Sequence, residues 1–258
     1  MTDAGRWFKV FRPRAGARAR LVCLAHAGGS AAAFRGWAEL LPPEVELLAL
    51  RYPGRLDRFG EPVPESMGGL VAEVVAALLP LDDLPLTLLG HSMGAVVAYE
   101  ATALLERRHA LTPRLLVVSG REAPSCAHPE AVSSHDDDAL LARFRALGSI
   151  GPDVFADPDL RELLLPILRA DCRLMESYRP DPAATVATPI VAYVGDRDPG
   201  CSVAQARAWA AATTGPFELR VFPGDHFYFA SCLAEVTRDL SERVLPPAAR
   251  GKAGEGRS

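Results

Sequence analysis

The stretch Leu86-Thr87-Leu88-Leu89-Gly90-His91-Ser92-Met93-Gly94-Ala95-Val96-Val97-Ala98-Tyr99 decides how this chain folds. Its first four residues form an apolar run bounded by Pro85 and Gly90, long enough for a buried strand. From Ala95 onward, small and apolar residues continue as a helix to about Arg108. Ser92 therefore lies on a sharp turn from strand to helix, in a strained conformation that pushes its hydroxyl out at the top of a sheet. Gly90 and Gly94 leave room where side chains would collide with the neighbouring strand and helix. Glycine makes up 21 of 258 residues, so the pentapeptide alone is a weak signal and its flanks give it weight. Ser92 reads as a nucleophile.

A serine hydroxyl needs a base, and the base needs an acid to orient it. On a scaffold of this kind the partners follow the serine as acid, then histidine. Of the six histidines, His26 and His91 precede or adjoin the turn. His109 ends the helix that begins there, where a solvated histidine is ordinary. His128 and His135 fall in a polar stretch rich in Ser, Pro and Asp. His226 follows a strand-like run, Phe217–Phe222, and a tight Pro223-Gly224-Asp225 turn. A loop at the carboxyl end of a strand is where a base must stand, so His226 is the candidate base. The acid should end the preceding strand, Pro189–Gly195, which runs into Asp196-Arg197-Asp198-Pro199. Asp196 is placed to terminate the strand and bond nearby amides. Asp198 lies farther into the loop, held extended by Pro199; it is the first choice, with Asp196 second.

Acyl transfer also requires donors aimed at the developing oxyanion. One is the backbone amide of Met93; the other should come from the loop after an early strand. Arg20–Leu24 reads as that strand and Ala25-His26-Ala27-Gly28-Gly29-Ser30 as its loop, which makes Ala27 the candidate donor. A phosphate loop is the rival reading of these glycines, but the lysine it needs is missing. His26 is expected to orient the loop, and His91 to be a packed structural residue.

At 258 residues and 49% hydrophobic, the chain can bury one large α/β core as a single domain, 1–258. Strands are expected at 20–24, 45–50, 86–89, 114–118, 189–194 and 217–222. Their alternation with amphipathic helices points to a mostly parallel, doubly wound sheet. Asp137–Phe144 and Leu160–Leu168 read as helices with polar starts. They lie in an insertion at about 125–180 that would form a helical lid over the Ser92 turn, between core segments 6–124 and 186–246. Asp136-Asp137-Asp138 reads as a solvated helix start rather than a metal site, and no metal or organic cofactor is implied. Residues 247–258 read as a frayed polar tail. No N-terminal run of signal-peptide length and no membrane-span-length stretch stands out, so a cytoplasmic protein is expected. The five cysteines, Cys23, Cys126, Cys172, Cys201 and Cys232, show no paired or metal-like spacing and suit reduced thiols. Cys23 and Cys232 read as core residues. A net charge of −4 gives no argument for nucleic acid or an anionic membrane as partner.

Together these residues carry a family resemblance. Leu24-Ala25-His26-Ala27-Gly28-Gly29-Ser30-Ala31, Tyr52-Pro53-Gly54-Arg55, the Ser92 turn with Ala95, Gly195-Asp196-Arg197-Asp198-Pro199 and Gly224-Asp225-His226-Phe227 follow in that order. The chain resembles the type II thioesterases, free-standing α/β-hydrolases that accompany modular polyketide and nonribosomal peptide synthases. The likeness spans almost the whole chain, though Ser125 to Pro180 match only in general character. It selects Asp198 over Asp196, and Ala27 as the first oxyanion residue. It implies an α/β-hydrolase fold and a Ser92–His226–Asp198 triad. It also implies, as substrates, acyl groups on the phosphopantetheine arm of an acyl or peptidyl carrier protein, removed when stalled or misprimed. A monomer is expected. The rival readings are a general esterase or lipase with the same triad, and a carrier-binding module whose hydrolysis is incidental. The complete set of nucleophile, acid and base argues against the last.

Overall fold

The apolar run at 86–89 forms most of a strand buried along its whole length, Leu86–His91, as strands covered on both faces of a parallel sheet must be. The computed structural model describes residues 3–126, 131–149 and 157–245. Its strands are β1 (Phe8–Val10), β2 (Ala19–Leu24), β3 (Val45–Leu50), β4 (Leu86–His91), β5 (Leu115–Ser119), β6 (Ile190–Gly195) and β7 (Phe217–Phe222). They form one sheet in the order β1-β3-β2-β4-β5-β6-β7. Neighbours from β3 to β7 pair in parallel. Only β1 is antiparallel, with Phe8 opposite Leu50. The sequence reading missed β1, because three residues at a sheet edge are too few for a period to show. The six expected strands are present, shifted by at most two residues at either end.

The helices are α1 (Asp3–Trp7), α2 (Arg35–Leu40), α3 (Met67–Leu78), α4 (Met93–His109), α5 (Asp137–Leu147), α6 (Pro158–Ser177), α7 (Val203–Arg207) and α8 (Phe229–Val244). Helix α4 packs on β4, β5 and β2 with α3 beside it, while α2 packs with α8. Every β2, β4 and β5 residue except Arg20 is buried. Each fully buried Leu or Val there contributes roughly 1.5–3 kcal/mol. The fold is an α/β-hydrolase-type sheet flanked by helices.

Between β5 and β6 the described residues hold helices and no strand. Asp136 caps α5, its side chain accepting from the Ala139 amide, so the acidic run is a helix start. The second helix is longer than its expected span of 160–168. It begins at Pro158 under an Asp157 cap and runs through Pro166 to Ser177. An internal proline usually ends a helix, but here packing overrides it. Leu140, Leu141, Phe144, Leu168 and Cys172 form a small core of their own against Ala27. Of the expected lid, 127–130 and 150–156 lie outside the described residues, as do His128 and the expected tail at 247–258. Cys23 is a core residue, whereas Cys232 is only partly buried and rests against the core edge.

Candidate active site

Ser92 stands between the end of β4 and the start of α4 with φ 56° and ψ −116°. Such a conformation in a non-glycine residue costs of order 1–3 kcal/mol and persists only when the surroundings enforce it. They do so through the Ser92 amide, which donates to the Ser119 carbonyl at 2.8 Å, and through close backbone packing. A Cβ on Gly90 would lie 2.0 Å from the Gly94 oxygen, and one on Gly94 2.1 Å from the Leu24 oxygen. The two glycines let α4 rise directly from the sheet, so the Ser92 side chain faces a cleft beyond the strand ends.

The same edge of the sheet supplies the other expected residues, as parallel sheets place ligands at the carboxyl ends of their strands. Asp198 follows β6 and His226 follows β7. The His226 Nδ1 lies 2.9 Å from both Asp198 oxygens, and both side chains are buried. Asp198 Oδ1 also accepts the Gly200 amide at 2.7 Å. Asp196, the second choice, is exposed. Its Oδ1 accepts the Gly224 amide at 2.8 Å, which ties the end of β6 to the turn before His226. Ser92, Met93, Ala27 and His226 all line one cleft of about 370 Å³.

Met93 is the first residue of α4, so its amide has no acceptor within the helix. The loop of Ala27 is held on both sides. The Tyr52 hydroxyl donates to the Ala25 carbonyl at 3.1 Å, and the Gly29 amide to the His26 carbonyl at 2.9 Å. The Gly28 amide donates to Asp171 Oδ2 at 2.7 Å. Arg55 donates to the Gly29 carbonyl at 2.8 Å and to Asp171 Oδ1 at 2.7 Å, with its guanidinium over the Tyr52 ring. Asp171 is 0% and Arg55 4% exposed. The sequence reading gave neither a role. A signal for Asp171 was present: it shares the apolar stripe of Leu168, Cys172 and Met175 on α6, where a carboxylate needs a partner.

His91 packs against the candidate base, and His26 packs against His91 and Phe227. The His91 ring lies 4.8 Å from that of His226 and 5.9 Å from that of His26, with Phe227 and Phe229 around it. His91 is a buried packing residue, as expected, but it backs directly onto His226. Its Nδ1 is 2.9 Å from the Ser119 hydroxyl, which in turn meets the Tyr228 hydroxyl at 2.7 Å. Burial, followed by the neighbouring His226, holds the His91 pKa well below the ordinary histidine value. The same causes bring His26 down to about 4. Both are neutral at pH 7. His26 lies under the loop, its ring within 3.0 Å of where a Gly29 side chain would begin.

The far wall of the cleft comes from the inserted helices, through Phe144, Leu147, Cys172 and Met175 with the charged Arg143 and Glu176. Arg121 and Glu122, paired at 2.9 Å, and Gln205 add polar groups. Among the described residues no group of three or more His, Cys, Asp or Glu could hold a metal ion. No described helix is long and apolar enough to cross a membrane. A strained serine and a buried histidine–carboxylate pair opening on one cleft together suit covalent acyl transfer.

Comparison with known proteins gives the same direction. The sequence model of the thioesterase domain family matches residues 19–244. Thioesterase PikA5 of Streptomyces venezuelae is 43% identical over 94% of this chain and 87% of its own. The type II thioesterase BorB of the borrelidin biosynthetic cluster superposes with a TM-score of 0.85 at 36% identity, over 93% of this chain and 98% of BorB. YbtT, a type II thioesterase of the yersiniabactin NRPS/PKS pathway, has a TM-score of 0.81 at 33% identity, over 92% and 98% of the two chains. The chain belongs to the thioesterase family, and it shares the α/β-hydrolase fold of its type II members.

Proposed function

We propose that this chain hydrolyses acyl thioesters on the phosphopantetheine arm of acyl or peptidyl carrier proteins, clearing stalled or misprimed groups during polyketide or nonribosomal peptide synthesis. The observation that carries the chemistry is the buried His226–Asp198 pair in one cleft with the strained Ser92. The pathway context is supported by the relatives, since BorB and YbtT belong to such clusters.

In this reading Asp198 accepts Nδ1–H and so leaves Nε2 of His226 free as the base. His226 takes the Ser92 proton as the oxygen attacks the thioester carbonyl. The amides of Ala27 and Met93 receive the oxyanion. Collapse of the tetrahedral intermediate expels the pantetheine thiol, which leaves with the proton from His226. A water then enters, gives its proton to His226 and attacks the Ser92 ester; the second tetrahedral intermediate collapses as His226 returns that proton to the Ser92 oxygen, releasing the acid and the free serine. Each half uses the same donors, so the protein supplies position and charge rather than a cofactor. We further propose that the domain is single, with a core of 6–124 and 186–246, and that 125–180 acts as a lid, of which α5 and Pro158–Pro166 move to admit the arm. The enzyme works as a monomer in the cytoplasm, in keeping with its five free cysteines.

The test is kcat/KM for a matched pair: one acyl group on a phosphopantetheinylated carrier protein and on free pantetheine. Binding energy from carrier surface remote from the scissile bond can help position the carbonyl, so the carrier form should react faster. Equal values for the pair, with faster turnover of simple aryl esters, would favour a general esterase.

A further inference from the structure

We infer that Asp171 and Arg55 are positioning residues for the oxyanion loop, through which helix α6 fixes the Ala27 amide. The inference rests on the proposed acyl-transfer reading of the site. The backbone around Ala27 is held at Ala25 by Tyr52, at Gly28 by Asp171 and at Gly29 by Arg55. Asp171 and Arg55 hold one another as well, 116 residues apart in sequence. Gly28 has φ +75°, and a Cβ there would lie 2.6 Å from Leu168 of α6. The loop therefore lies directly beneath the inserted helix, with no slack between them.

A buried ion pair that only supports a fold is often replaced by apolar residues at little loss. Beyond holding each other, the two residues also hold two backbone groups just after the candidate oxyanion donor. Asp171 uses one oxygen for Arg55 and the other for the Gly28 amide, and Arg55 turns a second nitrogen to the Gly29 carbonyl. Removing the pair frees the peptide units on the carboxyl side of Ala27 to rotate. An oxyanion donor acts only when it points to where the charge develops, and displacement of about 1 Å costs up to about 100-fold in rate. The part of α6 that carries Asp171 must then stay docked while the cleft is in use.

The test is the double variant Arg55→Met/Asp171→Leu, which removes both charges together and leaves no buried ion unpaired. Kinetics use butyryl-N-acetylcysteamine thioester and p-nitrophenyl butyrate. Affinity is measured for a butyl trifluoromethyl ketone, which adds to serine as a tetrahedral oxyanion. The variant should melt cooperatively, with kcat lower by about 10- to 100-fold, KM little changed, and ketone affinity reduced by the same factor as kcat/KM. A folded variant with wild-type kcat and ketone affinity would overturn the inference. Arg55→Lys is a second variant: it keeps the buried charge paired but has no fork to hold Gly29 and Asp171 together. Should the double variant not fold, Arg55→Lys decides by the same criterion: intermediate loss of kcat and ketone affinity supports the inference, and wild-type values refute it. If the wild type cleaves only the aryl ester, the thioesterase reading fails, while the oxyanion comparison still stands on that ester.

Discussion

Replacing Asp198 with Asn probes the orienting acid with almost no change of shape, and the local hydrogen bonds dictate the result. Oδ1 accepts the Gly200 amide at 2.7 Å and lies 2.9 Å from His226 Nδ1, while Oδ2 also lies 2.9 Å from that nitrogen. In the variant the amide NH₂ cannot take the Oδ1 position, because it would face the Gly200 N–H donor. The remaining oxygen stays there, and the NH₂ occupies the Oδ2 position against Nδ1. A donor at that place favours the tautomer with Nδ1 unprotonated and Nε2–H, which cannot take the Ser92 proton. The negative charge that supports an imidazolium is lost as well. The equivalent change in a serine-protease triad lowers kcat by about 10⁴-fold, equivalent to about 5.4 kcal/mol of barrier, and the same tautomer argument carries that order of loss to this site. Asp196→Asn keeps an oxygen for the Gly224 amide and loses only an exposed contact with Arg197; such a contact is worth about 1 kcal/mol or less. Its kcat should fall less than about tenfold. Steady-state hydrolysis of an acyl-N-acetylcysteamine thioester, alongside thermal melts, measures both variants. Near-wild-type kcat for Asp198→Asn, or a larger loss from Asp196→Asn, would refute the assignment.

Other outcomes follow from the same geometry. Gly90→Ala forces a Cβ to 2.0 Å from the Gly94 oxygen; urea melts should show about 3 kcal/mol of destabilisation or more, and an unchanged midpoint would contradict the packing described. His91 is kept neutral when folded, by burial first and His226 second, whereas the unfolded chain protonates it near pH 6.5. Its contribution to stability is therefore complete above that pH and declines as pH falls below it, by up to about 1.4 kcal/mol per unit. Urea melts of wild type and His91→Asn from pH 7 to 5 should differ in slope, and parallel slopes would count against it. Hydrogen exchange should be faster in α5 and in Pro158–Pro166 than in β2, β4 and β5, with the turn around Asp171 slower than the rest of α6; protection uniform with the sheet would argue against a moving lid.

The elements nearest the chemistry are also those most legible in the sequence, for a physical reason. Strand, turn and helix around Ser92 are local, and Gly90 and Gly94 mark a backbone approach that no other residue permits. Asp198 and His226 are readable because each follows the carboxyl end of a strand in the same parallel sheet, so topology brings them to one end of it. What escapes local reading is what tertiary packing creates. Strand β1 is three residues held by β3. Helix α6 passes through Pro166 because Leu168 and Cys172 are buried beneath it. Asp171 and the Gly28 amide are 143 residues apart, and nothing near either names the other. The contact of His91 with His226 likewise depends on how β4 and the turn after β7 meet.

The central claim is that Ser92 accepts the acyl group from a carrier-borne thioester. Rapid mixing with a stoichiometric acyl-phosphopantetheinyl carrier protein, acid quench and intact-mass analysis with peptide mapping tests it within one turnover. The account predicts a transient mass increase of one acyl group on the peptide containing Ser92, appearing in step with free carrier thiol and absent from a folded Ser92→Ala variant. Acyl transfer to another residue, or hydrolysis by Ser92→Ala at the wild-type rate, would contradict it.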